Sequence, residues 1–311
     1  MKIPSEAPQI TNRDNPAGIK PPALSALILK PRAIITAMIA LFFIFGGLAF
    51  FLGYQHIESS TEKALASDKI SSNLLATLLL EHQRSAIGLL RSYAARPSFI
   101  DAVRRKDVPG ARWHLGELKK HHEIDLTFVT DPKGVLWVNY PYFPEAVGKD
   151  LSYRDWYKGV SSKWQPYISE VFKLIVADKP MAVAISVPVV DSNGKVVGIL
   201  SNSHRLDFLV NTIKIVPFSP HTTATIIDRT GDILYSNKYS YKEKETRYPN
   251  YPLLEQALKS NQQKIKTSLP GNGGKLYMSI SSVGQTGWTV IIERKGHDVF
   301  REELGSLVEI G

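Results

Sequence analysis

The spacing of apolar and polar residues divides the chain into three regimes. From Ala33 to Tyr54 it runs for 22 residues without a charge, rich in Ile, Phe, Leu and Ala. As a helix this run crosses a hydrocarbon core, which needs about 20 residues. It outlasts the ~7–15-residue apolar region of a signal peptide, and no A-x-A site follows it, so it reads as an uncleaved anchor. From Gln55 to about Ala95 the pattern becomes amphipathic. Ile57, Ala64, Ile70, Leu74, Leu78, Ile87 and Leu90 recur at spacings near three, four or seven, until Pro97 breaks the pattern. Such a helix is too long to be covered by one small sheet. Part of its apolar stripe is expected to pair with a second copy in a helical dimer, with packing against its own domain alone as the alternative.

After a second helix, expected over about Pro109 to Lys120, the period falls to two. Asp125–Thr130 and Val135–Asn139 read as strands around the turn Asp131-Pro132-Lys133-Gly134. The device recurs twice. Asp191-Ser192-Asn193-Gly194 joins Met181–Val189 to Lys195–Ser203, and Asp228-Arg229-Thr230-Gly231 joins Thr223–Ile227 to Ile233–Ser236. The turns at Asp131 and Asp228 stand 97 residues apart in matching contexts, which suggests a duplicated sheet unit. The first unit is expected over 124–215 and the second over 216–293, with further strands at Gln263–Ser268, Leu276–Ser281 and Trp288–Ile292. A closing helix, about His297 to Val308 within 294–311, ends the chain.

Charge adds orientation. Lys30 and Arg32 precede the anchor, whereas His56, Glu58 and Glu62 follow it, so the positive-inside rule puts residues 1–32 in the cytoplasm and the remainder outside. Six prolines in that tail predict disorder. The net charge of +9 is spread without a long basic block, and an extracytoplasmic location argues against nucleic acid while favouring anionic small molecules. The absence of cysteine removes disulfides, thiol catalysis and cysteine metal sites.

The candidate chemistry concentrates at Gly148–Tyr157, G-K-D-L-S-Y-R-D-W-Y. The guanidinium of Arg154, the indole of Trp156 and the phenol of Tyr157 are suited to gripping a small carboxylate. In the alternative, Arg154 pairs with Asp150 or Asp155 at the surface while Trp156 and Tyr157 fill the helix face toward the sheet. Tyr140, Tyr142 and Phe143 could form a rim, or simply pack. His114, Glu117 and His121 share one helical face, but seven residues span about 10 Å, too far for one tetrahedral ion, so they read as a solvated face. Gly271–Lys275 lacks the spacing of a phosphate loop and reads as a hairpin turn. Asp131, Asp155, Asp191 and Glu170 offer carboxylates, yet no spacing selects an acid/base pair, so no enzyme is expected and no cofactor is implied.

The order of anchor, long helix and two sheet units, with G-K-D-L-S-Y-R-D-W-Y, P-Y-I-S-E-V-F (166–172) and V-V-G-I-L (196–200), resembles the double Cache domain. This is the PAS-like extracytoplasmic sensor of bacterial chemoreceptors, histidine kinases and cyclic-dinucleotide enzymes. The resemblance covers about Gln55 to Glu293. It implies an α+β fold, one transmembrane helix in the bacterial inner membrane, a periplasmic sensor, and a membrane-distal first unit that binds ligand. In amino-acid-binding members the motif Arg and Trp hold the ligand carboxylate, roles that map to Arg154 and Trp156, with Tyr157 lining the pocket and Tyr167 closing over the ligand. The family's amine-holding Tyr and Asp fall at Lys149 and Ser203, neither suited to an ammonium. The implied ligand is thus a carboxylate or other anion without a free α-amine. The alternative is a ligand-free interaction protein that regulates a membrane partner. No second apolar run occurs before Gly311, so the expectation is either the input part of a longer or split receptor or a chain that signals through a separate membrane protein.

Overall fold

The computed structural model describes residues 31–121, 124–175, 180–219, 221–240, 246–268, 274–299 and 301. The expected tail and most of the closing helix lie outside these residues, as do 271–273 of the expected hairpin turn; residues 296–299 and 301 are helical. The chain divides into two compact units, 1–56 and 57–311.

Helix α1 runs from Pro31 to Ala94. In the first unit its described residues form an apolar stretch whose side chains are exposed all round, Phe42, Phe43 and Phe50 among them. A helix that is apolar on every side and covered by no protein suits a bilayer. In the second unit α1 buries only part of the stripe its apolar pattern suggests, with Leu90 buried and Ala64, Leu78 and Ile87 packed partly against the core. Thr61, Leu65, Asp68, Ser72, Leu75, Leu79, Gln83 and Leu90 face inward, while Ile57, Ile70 and Leu74 are exposed. From Thr61 to Gln83 the buried face mixes leucines with polar residues. Asp68 accepts two hydrogen bonds from Arg294, from Nη2 at 2.7 Å and Nε at 2.9 Å, with both residues almost wholly buried. One turn further, Ser72 Oγ lies 2.7 Å from Ser281 Oγ, which donates to Asn73 Oδ1 at 2.7 Å, and Lys69 Nζ donates to Ser281 Oγ at 2.9 Å.

Pro97 ends the long helix and opens the next one. It stands at the first position of α2, Pro97–Arg105, where a missing N–H costs nothing. Helix α3, Val108–Lys119, is capped by Asp107, which accepts from Gly110 N at 3.2 Å.

Two antiparallel sheets follow. The first contains β1 (Leu126–Thr130), β2 (Leu136–Tyr140), β3 (Tyr167–Ile168), β4 (Phe172–Lys173), β5 (Met181–Val190) and β6 (Val196–Arg205). Its order is β2-β1-β6-β5-β3, with β4 also on β5. Helix α4 (Asp155–Lys163) lies between β2 and β3 in sequence, and α5 (Phe208–Lys214) leads out of β6. The second sheet contains β7 (Thr223–Ile227), β8 (Ile233–Ser236), β9 (Lys264–Ser268), β10 (Lys275–Ser282) and β11 (Thr289–Lys295), with α6 (Tyr251–Lys259) between β8 and β9. Its order, β8-β7-β11-β10-β9, repeats that of the first. The strands expected from alternation are present within one to three residues at their ends. The short α2, α5 and α6 and the two-residue β3 and β4 carry too few periods to stand out in the sequence.

The first sheet is covered on both faces. On one face Leu126, Phe128, Leu136, Ala182, Ala184 and Ile199 pack on Trp156 and Val160 of α4. On the other, Val129, Val138, Val183, Ile185 and Leu200 join Leu79, Leu90, Phe99 and Leu115 in a core that extends into the second sheet.

Breaking a buried ion pair leaves its partner charged and unpaired, at about 3–5 kcal/mol. Asp68→Ala is expected to lower stability by that order, read as the denaturation midpoint of the full chain in detergent. Adding Arg294→Met to Asp68→Ala should recover part of the loss.

Candidate ligand site

The site grows from the first Asp-x-x-Gly turn. Asp131 Oδ1 accepts from Lys133 N and Val135 N, each at 2.9 Å, and Gly134 takes φ +92°, open to glycine at no steric cost. A Cβ there would stand 2.9 Å from the Tyr157 ring, whose hydroxyl donates to Pro132 O at 3.0 Å. The second unit repeats this arrangement. Asp228 Oδ1 accepts from Thr230 N at 2.9 Å and Asp232 N at 3.0 Å, Gly231 takes φ +89° against the Tyr251 ring, and Tyr251 Oη donates to Arg229 O at 3.2 Å. Tyr157 is therefore a latch that holds α4 on its turn, and only partly available to a pocket.

The latch sets the start of α4, with Arg154 as N-cap and Asp155 in the first turn. Trp156 points into the sheet. It is 1% exposed and meets Phe128 edge-on at 5.3 Å between ring centroids. Arg154 points outward. Its guanidinium lies 5.1 Å from the Tyr153 ring centroid and 5.2 Å from that of Phe172. Among the described residues it makes no ion pair with Asp150 or Asp155. Asp150 instead accepts from Ser152 N at 2.8 Å, which holds its carboxyl below the usual range. Asp155 accepts from Glu170 N at 2.9 Å and from the Tyr167 hydroxyl at 3.0 Å.

Arg154 opens onto a hollow of about 410 Å³ lined by Lys149, Asp150, Leu151, Tyr153, Lys173, Leu174 and Ile175. Three cationic side chains thus surround it against one carboxylate already engaged by the backbone. Lys173, on β4, is a member that sequence reasoning missed. It lies 19 positions beyond Arg154, and only the pairing of β4 with β5 brings it there.

The other expected members lie elsewhere. Tyr140 packs on Gly116 of α3, 3.5 Å from the position of a Cβ there, and Tyr142 lies under the Arg112 guanidinium of α3 at 4.5 Å. Both are therefore on the face of the sheet opposite α4, because the bulge in β2 between Leu136 and Val138 leaves Leu136 toward Trp156 and turns Val138 and Tyr140 away. Of the loop aromatics, Phe143 packs on the Trp156 side. Tyr167 is held by Asp155 and by Arg229 Nη1 of the second sheet unit, and does not line the hollow at Arg154. Ser203 is on the Trp156 face, opposite Leu126 and Ala184. It is fully buried, and its Oγ has no hydrogen-bond partner among the described residues. The histidine face is also corrected. His114 is buried, its Nε2 3.1 Å from Ser98 Oγ, and burial with the nearby Arg96 charge pushes its pKa down. His121 instead meets the Tyr93 hydroxyl at 3.2 Å.

Residues 55–302 match the family model described as Cache domain. Among solved structures, the ligand-binding domain of the Pseudomonas fluorescens chemoreceptor CtaA in complex with L-isoleucine aligns at TM-score 0.60 and 14% identity, over 80% of this chain and 99% of that one. The sensory domain of the Campylobacter jejuni chemoreceptor Tlp3 with isoleucine bound aligns at TM-score 0.57 and 13% identity, over 78% and 97%. An extracellular ligand binding receptor from Desulfohalobium retbaense DSM5692 aligns at TM-score 0.47 and 16% identity, over 66% of this chain but 39% of that one. No curated protein sequence matches the chain.

Tyr157→Phe removes one hydrogen bond and is expected to cost about 0.5–1.5 kcal/mol. Gly134→Ala adds both strain at positive φ and a clash with the ring, and is expected to cost more. Denaturant midpoints of the two variants check the order.

Proposed function

The chain belongs to the family of Cache domains, and from that premise we propose that it is a membrane-anchored sensor whose first sheet unit takes up a small organic anion at Arg154. The observation that carries this reading is the basic hollow, in which Arg154, Lys149 and Lys173 converge with the guanidinium uncommitted to any carboxylate among the described residues. A guanidinium with no ion pair among the described residues can bind a carboxylate with two parallel hydrogen bonds, and two neighbouring ammonium groups raise the local anion concentration.

The two chemoreceptor domains compared above carry isoleucine, so a carboxylate is chemistry shared with them. An α-amine is a different matter. The resemblance places Lys149 and Ser203 where the family holds the amine. Lys149 is itself cationic, and Ser203 is sealed within the core, so the proposed ligand class is a carboxylate without a free amine. In this reading Tyr140 and Tyr142 serve packing on α3, and Tyr157 contributes through its latch. The N-terminal segment is cytoplasmic and the sensor extracytoplasmic, following the charges that flank the apolar run. The exposed Ile57, Ile70 and Leu74 of α1 fit pairing with a second copy.

A second reading, a ligand-free interaction protein regulating a membrane partner, draws on the burial of Trp156 and Ser203. Their side of the sheet is filled by its own core, leaving the hollow at the surface.

Isothermal titration of the full chain in detergent, against short organic acids and amino acids, separates the two. The proposed function requires binding of one class of acid that weakens by about 10–100-fold in Arg154→Ala, the scale of a charged hydrogen bond. Lys173→Gln is expected to weaken it less and to flatten its salt dependence. Binding of an unmodified amino acid, lost in Arg154→Ala, would refute the amine exclusion alone. Silence across the panel leaves the interaction reading standing.

A further inference from the structure

The two sheet units meet through a short segment, Tyr167 to Val171, docked on the turn Asp228–Asp232. The Val171 N–H donates to Asp228 Oδ2 at 3.0 Å, and Arg229 Nη2 donates to Ile168 O and to Thr286 O, both at 3.0 Å. Arg229 Nη1 donates to the Tyr167 hydroxyl, which in turn donates to Asp155 Oδ1 at 3.0 Å. Glu170 stands in the middle of this joint, about a quarter exposed.

Its neighbours are mostly of its own sign. Asp155 faces it from α4, and Asp228 and Asp232 face it from the β7–β8 turn. The countercharge is Arg229, whose Nε is 3.7 Å from Glu170 Oε1, beyond hydrogen-bond range, and whose terminal nitrogens are already committed. Among the described residues Tyr167 also faces it from β3, and Arg247 forms a β-bridge with Asp232, its guanidinium 4.3 Å from the Tyr251 ring centroid. From α1 comes Arg84, which shares an adjoining hollow of about 770 Å³ with Tyr167 and Arg229 but pairs with Glu81 at 2.7 Å.

With Glu170 ionised, four carboxylates gather around the Arg229 guanidinium. With Glu170 protonated, one of the repelling charges disappears while every backbone hydrogen bond of the joint remains. We propose that Glu170 is the proton-binding site of a latch between the two sheet units, docked when Glu170 carries a proton and loosened when it is ionised. Geometry alone places the like charges together. In addition, burial and then the Asp155, Asp228 and Asp232 charges push Glu170 up to about 7, and burial raises Asp228 as well.

The direction follows from linkage. A carboxyl whose pKa is raised in the docked state favours docking most below its ordinary value of 4.5, and that advantage is lost as pH rises through about 7. This inference does not require the Arg154 site to bind anything. If it does, Lys173 lies two residues beyond Val171, so the latch also borders the hollow.

The test uses hydrogen–deuterium exchange on the full chain in nanodiscs without ligand. Peptides covering 167–173 and 226–232 are followed at pH 5 and pH 8, with intrinsic rates divided out. Local opening in the wild type is expected to rise on the order of tenfold between the two pH values, less than the full shift implies because Glu170 retains some exposure. Glu170→Gln, neutral at both, should stay protected and flat. Asp232→Asn removes one repelling charge and should shrink the response while leaving its direction. A response that persists in Glu170→Gln, or a wild type that opens no more at pH 8 than at pH 5, would overturn the proposal.

Discussion

A carboxylate that satisfies two backbone N–H groups at once shapes this molecule more than any other local contact. In each of the turns at Asp131, Asp191 and Asp228, Oδ1 accepts from the residues two and four positions on, while the glycine at the third takes a positive φ. The turn fixes which residues oppose each other in the hairpin, and a one-residue slip would send every core side chain to the wrong face. In two of the three turns the glycine also seats a tyrosine ring, and that contact decides where the next helix begins. At Asp228 the second oxygen reaches Val171 of the other unit, so the same residue that shapes one hairpin joins two sheets.

Helix α1 rests on the second sheet through polar contacts as well as apolar ones such as Leu65 with Tyr277. Asp68 with Arg294, and the group of Lys69, Ser72, Asn73 and Ser281, specify one axial position of the helix, because displacing Asp68 would break both of its buried hydrogen bonds to Arg294. An apolar seam constrains position less, since one methyl group replaces another at little cost.

The proposed ligand hollow and the joint between the sheets share the segment Tyr167–Ile175. Lys173 to Ile175 line the hollow beside Arg154, and Tyr167 to Val171 hold the second unit. Asp155, adjacent to Arg154, belongs to the joint through Tyr167 and Glu170 N. The neighbours in sequence, Arg154 and Asp155, thus face different tasks at one helix start.

The sequence determined the apolar span, the alternating strands, the turns and the family, because each rests on interactions among residues within about ten positions of one another. The β-branched runs bounded by Asp-x-x-Gly needed no distant partner to be legible, and the motif around Arg154 was legible in the same way. The tertiary structure decided what long-range packing controls. It turned Asp68 and Ser72 of α1 inward and Ile57, Ile70 and Leu74 outward, because Arg294 and Ser281, more than 200 residues away, bind the two polar residues. It placed Tyr140 and Tyr142 against α3, brought Lys173 to Arg154, and gathered Glu170 with Asp228. Charge and hydrogen-bond complementarity between distant segments leave no periodic trace in either segment alone, so the sheet pairing, and nothing local, settled them.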